Sequence, residues 1–188
     1  MIVSIGWNRL TRGLMGSQKL DAWKTARLFA LVHTAMADAA TACFEAKYYY
    51  KFWRPETAVR LGDNDGYSNT IGDATWLPAY TESPNLLNPA LNVYTPPIAE
   101  YPSAHASFGA SAAAVLLKFF GPNAPTLALT SSTLPGVTRH YDSIMAAVRD
   151  NSLSRIYVGF HFRKAVLEGE WQGLQVGNYV FDHSFQER

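Results

Sequence analysis

The chain has one cysteine and almost no net charge. Cys43 stands alone among 188 residues, so no internal disulfide can form and the fold does not depend on an oxidising compartment. Sixteen Lys and Arg against fifteen Asp and Glu leave a formal net charge of +1. That balance provides no global field to attract nucleic acid or an anionic membrane. We expect no nucleic-acid partner, and any anion site must be built locally.

Long apolar runs are also missing. No stretch approaches the roughly 18 consecutive apolar residues that span a bilayer, and the start, "MIVSIGWNRLTRG", lacks the features of a signal peptide. We therefore expect a soluble protein with no transmembrane segment and no signal peptide in this chain. The sequence does not indicate its compartment. Trp7 and Leu10 already have the spacing of a packed helix, which is consistent with a truncated N-terminus.

Strand alternation, internal repeats and low-complexity tracts are the remaining absences. The length and the 48% hydrophobic content predict a single domain over residues 1–188, and the helical spacing of the apolar residues predicts an all-α bundle. A segment at about 61–101, rich in Gly, Asn, Asp, Pro and Thr, is expected to be a loop. Its length is typical of a functional rim or lid.

Helix signals divide the rest of the chain. Ser17 is a plausible N-cap for a long first helix that ends or breaks near Pro55. Further helices are predicted at about 103–120, 141–155 and 166–181. In the last of these, glycines recur every four residues, which predicts a face on which another helix can lie close. They are Gly169, Gly173 and Gly177.

Polar residues concentrate in a few short motifs on this scaffold. Fixed cations, a hydroxyl, imidazoles and a helix N-terminus together suit a tetrahedral oxyanion such as phosphate or vanadate, because such an anion needs several positive hydrogen-bond donors. One imidazole could then attack or ligate the central atom while the other moves protons. The motifs are "KYYYKFWRP" with Lys47 and Arg54, "YPSAH" with Ser103 and His105, and "SRIYVGFH" with Arg155 and His161.

Each motif alone has an ordinary structural explanation. Lys and Arg near helix ends are usually solvated or complement the helix dipole, and an isolated "PSAH" is typical of a helix cap. The oxyanion interpretation depends on the motifs occurring together, in this order and at this spacing.

That order and spacing resemble a known family. Lys47 through Arg54-Pro55, then "PSAH", then Ser154-Arg155 through His161, are similar to the three-part signature of the type 2 phosphatidic acid phosphatase superfamily. Segments such as "ARLFALVHTAMADAA", "LPGVTRHYDS" and "QVGNYVFD" resemble its bacterial vanadium haloperoxidase-like branch. The resemblance implies a helical bundle of the vanadium haloperoxidase and acid phosphatase type. It also implies that the chain corresponds to the C-terminal half of a longer protein.

The resemblance implies a set of oxyanion-binding residues. Vanadate is the expected cofactor, and phosphate would occupy the same site. Lys47, Arg54 and Arg155 would hold the oxygens of the anion, with hydrogen bonds added by Ser103 and by the backbone at Ala104.

Catalytic roles are implied in the same way. His161 would be the vanadium ligand in a peroxidase or the phosphorylated nucleophile in a phosphatase. His105 would be the acid/base group, and Lys47 would help to polarise bound peroxide. The leading interpretation is a vanadate-dependent peroxidase that oxidises halide with hydrogen peroxide. The alternatives are a soluble acid phosphatase that acts on a phosphomonoester through a phosphohistidine, and an inactive oxyanion-binding module.

Two departures from the signature bear on those alternatives. Ala104 stands where the family has glycine, and it adds a methyl group where backbone approaches the anion. Ala165 stands where the phosphatases have an acid that orients the nucleophilic imidazole. The second departure argues against efficient phosphatase turnover. A chain lacking half of its bundle would also expose apolar helix faces, which favours a homo-oligomer or poor solubility.

Other side chains near the motifs have competing interpretations. Asp38, in "AMADAA", is expected to be buried and to pair either with an active-site arginine or in a structural salt bridge. Tyr48, Tyr49, Tyr50 and Trp53 are expected to pack around the first motif, the alternative being a halide or ring-stacking site.

Overall fold

The computed structural model describes residues 3–16, 18–79, 95–121, 126–131 and 134–186. Helices account for most of these residues, so the predicted all-α class is confirmed. The helices are α1 (Val3–Gly16), α2 (Ala22–Tyr50), α3 (Pro55–Arg60), α4 (Ala104–Phe120), α5 (Ile144–Tyr157) and α6 (Arg163–His183), with a 3₁₀ turn at Gly62–Asn64 and strands β1 (Leu127–Ser131) and β2 (Leu134–Tyr141).

The strands form an antiparallel hairpin between α4 and α5, so the prediction of no strands is wrong. Leu127 lies opposite Tyr141 and Thr130 opposite Thr138, with an irregularity in register after Thr130. Along β2 every residue before Tyr141 is exposed. A strand shows hydrophobic alternation only when one face is buried, so β2 carries no such signal in the sequence, and β1, whose burial does alternate, has only five residues.

The long helix α2 begins later than predicted. Residues 18–21 are not helical, and Ser17 lies outside the described residues. Asp21 is the N-cap, and its Oδ1 accepts the Lys24 backbone N–H at 2.8 Å. A carboxylate at this position both satisfies an orphan N–H and complements the positive end of the helix dipole. At the other end, Lys51 adopts a left-handed conformation with φ 47° and its N–H donates to the Lys47 carbonyl.

The core lies around α4, which packs against α2, α5 and α6. Nearly every residue from Ala106 to Leu116 is buried. Trp7 and Leu10 of α1 are 5% and 2% exposed and belong to the same hydrophobic cluster, as their spacing predicts. Within the part of the chain that the structure describes, no helix has both the length and the apolar content to cross a membrane.

Helices α4 and α6 approach each other along the predicted glycine face. A Cβ added to Gly173 would lie 2.1 Å from the Ser107 carbonyl oxygen, and one added to Gly177 would lie 2.3 Å from that of Ser111. No side chain fits at such a separation, so the two backbones can approach this closely only because α6 has glycine there. The contact ends at the N-terminus of α4, where Gly169 faces the Ser103 carbonyl.

A segment before α4, residues 95–102, is held against the bundle. We call it the strap. The Thr95 N–H and hydroxyl donate to the buried Glu56 carboxylate at 3.1 and 2.9 Å, and Glu56 also pairs with Arg60 at 3.1 Å. Glu100 N–H donates to the Phe52 carbonyl at 2.9 Å. Most of the strap lies in the predicted loop at 61–101, of which residues 80–94 lie outside the described residues. Its role as a rim or lid stays a prediction.

Candidate oxyanion site

The fold brings residues from all three motifs into one buried cluster. Lys47 lies in the last turn of α2 and Arg54 just before α3, while Ser103 caps α4 and His161 precedes α6. These four residues are 2%, 6%, 0% and 5% exposed, respectively. Charged groups are rarely buried to this degree without partners, so the hydrogen-bond partners of each residue define the site.

Lys47 is held by the strap. Its Nζ donates to the carbonyls of Ala99 and Glu100 at 2.7 and 2.9 Å. The pKa of the Lys47 ammonium is lowered to about 8, mainly by burial; the charge of Arg54 also lowers it, while Cys43 and Glu100 raise it. Lys47 is therefore still mostly protonated at neutral pH, in a fixed position.

Arg54 is held by carbonyls from two segments. Its Nε donates to Ile98 O at 3.0 Å and its Nη1 to Phe160 O at 2.9 Å, while Nη1 also lies 3.2 Å from His161 Nε2. Burial lowers the pKa of the guanidinium to about 10, with Glu100 opposing that shift. The group stays charged, and it connects the first motif directly to the histidine of the third.

Ser103 and Arg155 contribute donors that lack acceptors. Within the described part of the chain, three buried side-chain polar atoms have no hydrogen-bond partner, and two of them are Ser103 Oγ and Arg155 Nε; the third is Ser152 Oγ. The Arg155 guanidinium lies over the Phe160 ring, 5.1 Å from its centroid. A buried donor without an acceptor costs about 1–3 kcal/mol, so an oxyanion here would relieve an existing cost.

His161 is oriented from both sides of its ring. Its Nδ1 lies 2.8 Å from Glu100 Oε1, which also accepts the Phe162 backbone N–H at 3.0 Å, and its Nε2 faces Arg54. Burial lowers the pKa of His161 to about 2, and the charge of Arg54 is the next largest cause. His161 is thus a neutral imidazole at physiological pH, as a ligand or nucleophile must be.

His105 lies in the first turn of α4 and is half-buried. Its backbone carbonyl accepts Asn151 Nδ2 at 2.8 Å, which ties α4 to α5. Burial and the nearby charge of Arg155 lower the pKa of the His105 imidazole to about 3. With Arg155, it borders a cavity of about 530 Å³ that extends to the hairpin and to α1. Lys47, Arg54 and His161 are not among the residues that border that cavity.

Sequence reasoning missed Glu100 as a residue of the site. Its carboxylate occupies the position beside His161 Nδ1 that the family pattern assigns to an acid at position 165, where this chain has Ala165. Burial raises the pKa of Glu100 to about 7, and the Phe162 N–H, Arg54 and Lys47 oppose that shift. The available signal was a single acid in an otherwise uncharged stretch directly before "YPSAH".

The expectation for Asp38 is wrong, and the expected packing of the tyrosines is found only in part. Asp38 is exposed rather than buried, because it lies on the solvent side of α2 next to the buried Ala39. Among the described residues it forms no ion pair with Arg54 or Arg155. Tyr48, Tyr49 and Tyr50 are 69%, 80% and 58% exposed, yet the Tyr50 ring packs edge-on against Tyr101 of the strap, with 5.1 Å between the ring centroids.

Fold and cluster together define a class of protein: an all-α bundle that gathers buried cationic donors around a neutral imidazole. Residues 27–187 match the VCPO second helical-bundle domain, and the chain belongs to that family.

Individual relatives agree with this assignment. Vanadium chloroperoxidase from Curvularia inaequalis is 28% identical over 178 residues, covering 73% of this chain and 27% of the relative. The crystal structure of the first bacterial vanadium-dependent iodoperoxidase is similar with a TM-score of 0.77 and 26% identity, over 96% of this chain and 38% of that one. A holo-type bacterial vanadium-dependent chloroperoxidase shares the fold with a TM-score of 0.70 at 16% identity, over 96% and 40%. The chain therefore spans well under half the length of these relatives.

Proposed function

We propose that this chain binds vanadate and oxidises halide with hydrogen peroxide. The observation that carries the proposal is a pair of buried donors without acceptors, Ser103 Oγ and Arg155 Nε, the second of which belongs to an arginine whose charge acts on the neutral His161 imidazole. Unsatisfied donors around an available nitrogen lone pair fit an oxyanion whose central atom takes a histidine ligand. The family membership and the vanadium-dependent relatives support the same choice.

Each residue of the cluster would contribute a different interaction to anion binding. Lys47 and Arg54 are already fixed by carbonyls, so little side-chain entropy is lost when an anion binds. Arg155 and Ser103 would donate the hydrogen bonds that they lack, and the first turn of α4 at Ala104 would add backbone N–H groups that have no partner within the helix. His161 would supply the lone pair of Nε2.

The chemistry needs a proton carrier as well as a bound anion. When bound, vanadate supplies a Lewis-acidic centre that activates hydrogen peroxide towards halide. Overall, halide loses two electrons, the peroxide O–O bond breaks, one proton is consumed, and hypohalous acid and water leave. We assign the movement of that proton to His105, because it borders the open cavity; burial and the charge of Arg155 lower its pKa to about 3, so it becomes an effective base only when a bound anion offsets that charge.

The experiment combines vanadate calorimetry with a halide-dependent bromination assay of a phenol dye. Arg155→Ala should weaken vanadate binding by about 10- to 100-fold, the range for losing a charge-assisted donor pair. The matched control is Arg149→Ala, which removes an exposed arginine from the same helix and should change nothing. His161→Ala should abolish bromination. Wild-type protein that binds neither vanadate nor phosphate would refute the proposed site.

An acid phosphatase acting on a phosphomonoester is the second candidate, and Glu100 is the observation that favours it. A phosphatase of this kind needs an acid beside the nucleophilic imidazole, and the Glu100 carboxylate lies 2.8 Å from His161 Nδ1 although Ala165 cannot serve. Hydrolysis of an aryl phosphate that is inhibited by vanadate and lost in His161→Ala would support this candidate. Oxyanion binding without either turnover would leave the inactive binding module.

The homo-oligomer prediction forms part of the proposal. Trp23 and Tyr49, near opposite ends of α2, and Trp171 of α6 are 86%, 80% and 63% exposed, and pairing with a second copy would remove such side chains from water. Light scattering of the purified chain tests this, and a monomer at all concentrations would contradict it.

A further inference from the structure

We infer that Glu100 is the positioning residue of His161: its carboxylate holds the imidazole in one orientation and one tautomer, with Nε2 directed into the oxyanion cluster. The inference deepens the proposed function and rests on it. It assigns to the strap a task that the family pattern gives to helix α6, where this chain has Ala165.

The contact between Glu100 and His161 is short and shielded from solvent. Glu100 Oε1 lies 2.8 Å from His161 Nδ1, and the two side chains are 1% and 4% exposed. The same oxygen accepts the Phe162 backbone N–H at 3.0 Å. A carboxylate oxygen has lone pairs for both donors, so one atom fixes the ring of His161 and the start of the chain that follows it.

Glu100 is itself fixed through its backbone. Its N–H donates to the Phe52 carbonyl at 2.9 Å and its own carbonyl accepts Lys47 Nζ at 2.9 Å. One residue therefore connects the lysine of the first motif to the histidine of the third. Because both ends of this connection are buried, a shift of the strap would move the lysine and the imidazole together.

Hydrogen-bond geometry decides the tautomer. Glu100 Oε1 already accepts the Phe162 backbone N–H, so this oxygen acts as an acceptor, and Nδ1 must carry the proton that it donates to Glu100. On the other side of the ring, Arg54 Nη1 only donates and lies 3.2 Å from Nε2, so Nε2 must accept. Both neighbours independently select the neutral ring with its proton on Nδ1 and its lone pair on Nε2. This is the form that can ligate or attack the central atom of an anion.

Position 165 shows why another acid is needed. Ala165 is 1% exposed, and its carbonyl accepts the Ser103 N–H at 2.9 Å. Its side chain is a methyl group, which cannot accept a proton from the imidazole. Within the described residues, Glu100 is the carboxylate hydrogen-bonded to His161, and it reaches the ring from a segment 61 residues earlier in the chain.

The test compares Glu100→Ala and Glu100→Gln with wild type in two measurements. The first is the ¹⁵N spectrum of His161, which distinguishes protonation on Nδ1 from protonation on Nε2 in the protein without added anion. The second is calorimetric binding of vanadate and of inorganic phosphate. Far-UV circular dichroism establishes that each variant is folded.

We expect wild type to carry the proton on Nδ1. Glu100→Ala should mix the tautomers and weaken vanadate binding by about 10- to 100-fold, the usual effect of losing the group that orients a histidine ligand. Glu100→Gln should lie between the two, because its amide oxygen still accepts from Nδ1 while the charge is gone. This ordering identifies the hydrogen bond rather than the bulk of the side chain as the cause.

Glu56→Gln is the matched control, because it alters the other buried carboxylate that anchors the strap, through Thr95, without touching His161. In Glu56→Gln, the tautomer of His161 and the affinity for vanadate should match those of wild type. The inference is overturned if Glu100→Ala keeps the proton on Nδ1 and binds vanadate within about twofold of wild type, or if Glu56→Gln weakens binding as much as Glu100→Ala does. Failure of the proposed function can be told apart from failure of this inference. In the first case wild type would bind neither anion, and the tautomer measurement would still support or overturn the role of Glu100.

Discussion

Replacing Gly173 with alanine tests the packing that brings the site together. The new Cβ would lie 2.1 Å from the Ser107 carbonyl oxygen and 2.9 Å from the Ala110 Cβ, whereas ordinary contact begins at 3.4 Å. The difference, 3.4 minus 2.1, means that α4 and α6 must separate by about 1.3 Å at this point. Both the carbonyl and the Ala110 Cβ belong to a helix that is buried along this length, so neither can rotate aside.

The energetic cost follows from that separation. A gap of about 0.5–1 Å forfeits a quarter to a half of the dispersion energy of the contacts it opens, and overpacking of a close interface costs about 1–3 kcal/mol or more. The better helix propensity of alanine offsets about 1 kcal/mol of this destabilisation. We expect a net loss of about 2 kcal/mol in the free energy of unfolding, which corresponds to a Tm lower by about 4–8 °C for a chain of this size.

Gly13→Ala is the matched control for the propensity contribution. Gly13 is an exposed glycine within helix α1 with nothing within 4 Å of an added Cβ, so the same substitution should stabilise the protein by about 0.5–1 kcal/mol. Urea unfolding followed by circular dichroism measures both variants. A Gly173→Ala protein as stable as wild type, alongside a stabilised Gly13→Ala, would refute the close helix contact. Since α4 carries Ser103 and α6 follows His161, Gly173→Ala should also weaken vanadate binding.

Three further predictions concern the site itself. The pKa values of His105 and His161 are lowered to about 3 and about 2 from 6.5, so below pH 6.5 the unfolded chain binds two protons that the folded chain does not. The raised pKa of Glu100, about 7 instead of 4.5, acts in the opposite direction, because between these two pH values the folded chain holds a proton that the unfolded chain has released. Stability should fall by about 1.4 kcal/mol per pH unit between pH 6.5 and 4.5 and about twice as steeply below that; urea midpoints that stay constant from pH 6.5 to 4.5 would contradict this. The Cys43 thiol, whose pKa burial raises to about 11 against the opposing charge of Lys47, should react with a thiol reagent at pH 8 only after unfolding, and native protein that reacts at the unfolded rate would count against it. Ala104→Gly should tighten vanadate binding by up to about tenfold because a methyl group leaves the approach to the backbone, and calorimetry showing equal or weaker affinity would argue against that placement.

Periodic features of this fold could be predicted from the sequence, and contacts made by irregular segments could not. The glycines four residues apart on α6 predict a close helix contact because helical spacing alone places them on one face. The motif residues could be grouped only through their order along the chain. The β1–β2 hairpin was missed because β2 is exposed along nearly its whole length. Asp38 was misplaced because an alanine-rich segment does not distinguish the buried side of α2, at Ala39, from the solvent side.

Glu100 marks the clearest limit of sequence reasoning, and it bears on the departure from the family pattern at Ala165. The family pattern assigns the acid to a position one helical turn from the histidine, and a search at that spacing finds only Ala165. The function of that acid is to accept a proton from Nδ1, and any segment that brings a carboxylate to 2.8 Å can perform it. Here the strap does so while its neighbouring carbonyls hold Lys47 and Arg54. The cations are thus fixed before any anion arrives, and the cost of burying them is visible in the lowered pKa values of both groups. Ser103 and Arg155, by contrast, keep donors without acceptors. Fixed cations together with unsatisfied donors therefore support the proposed anion site over a purely structural role for the cluster.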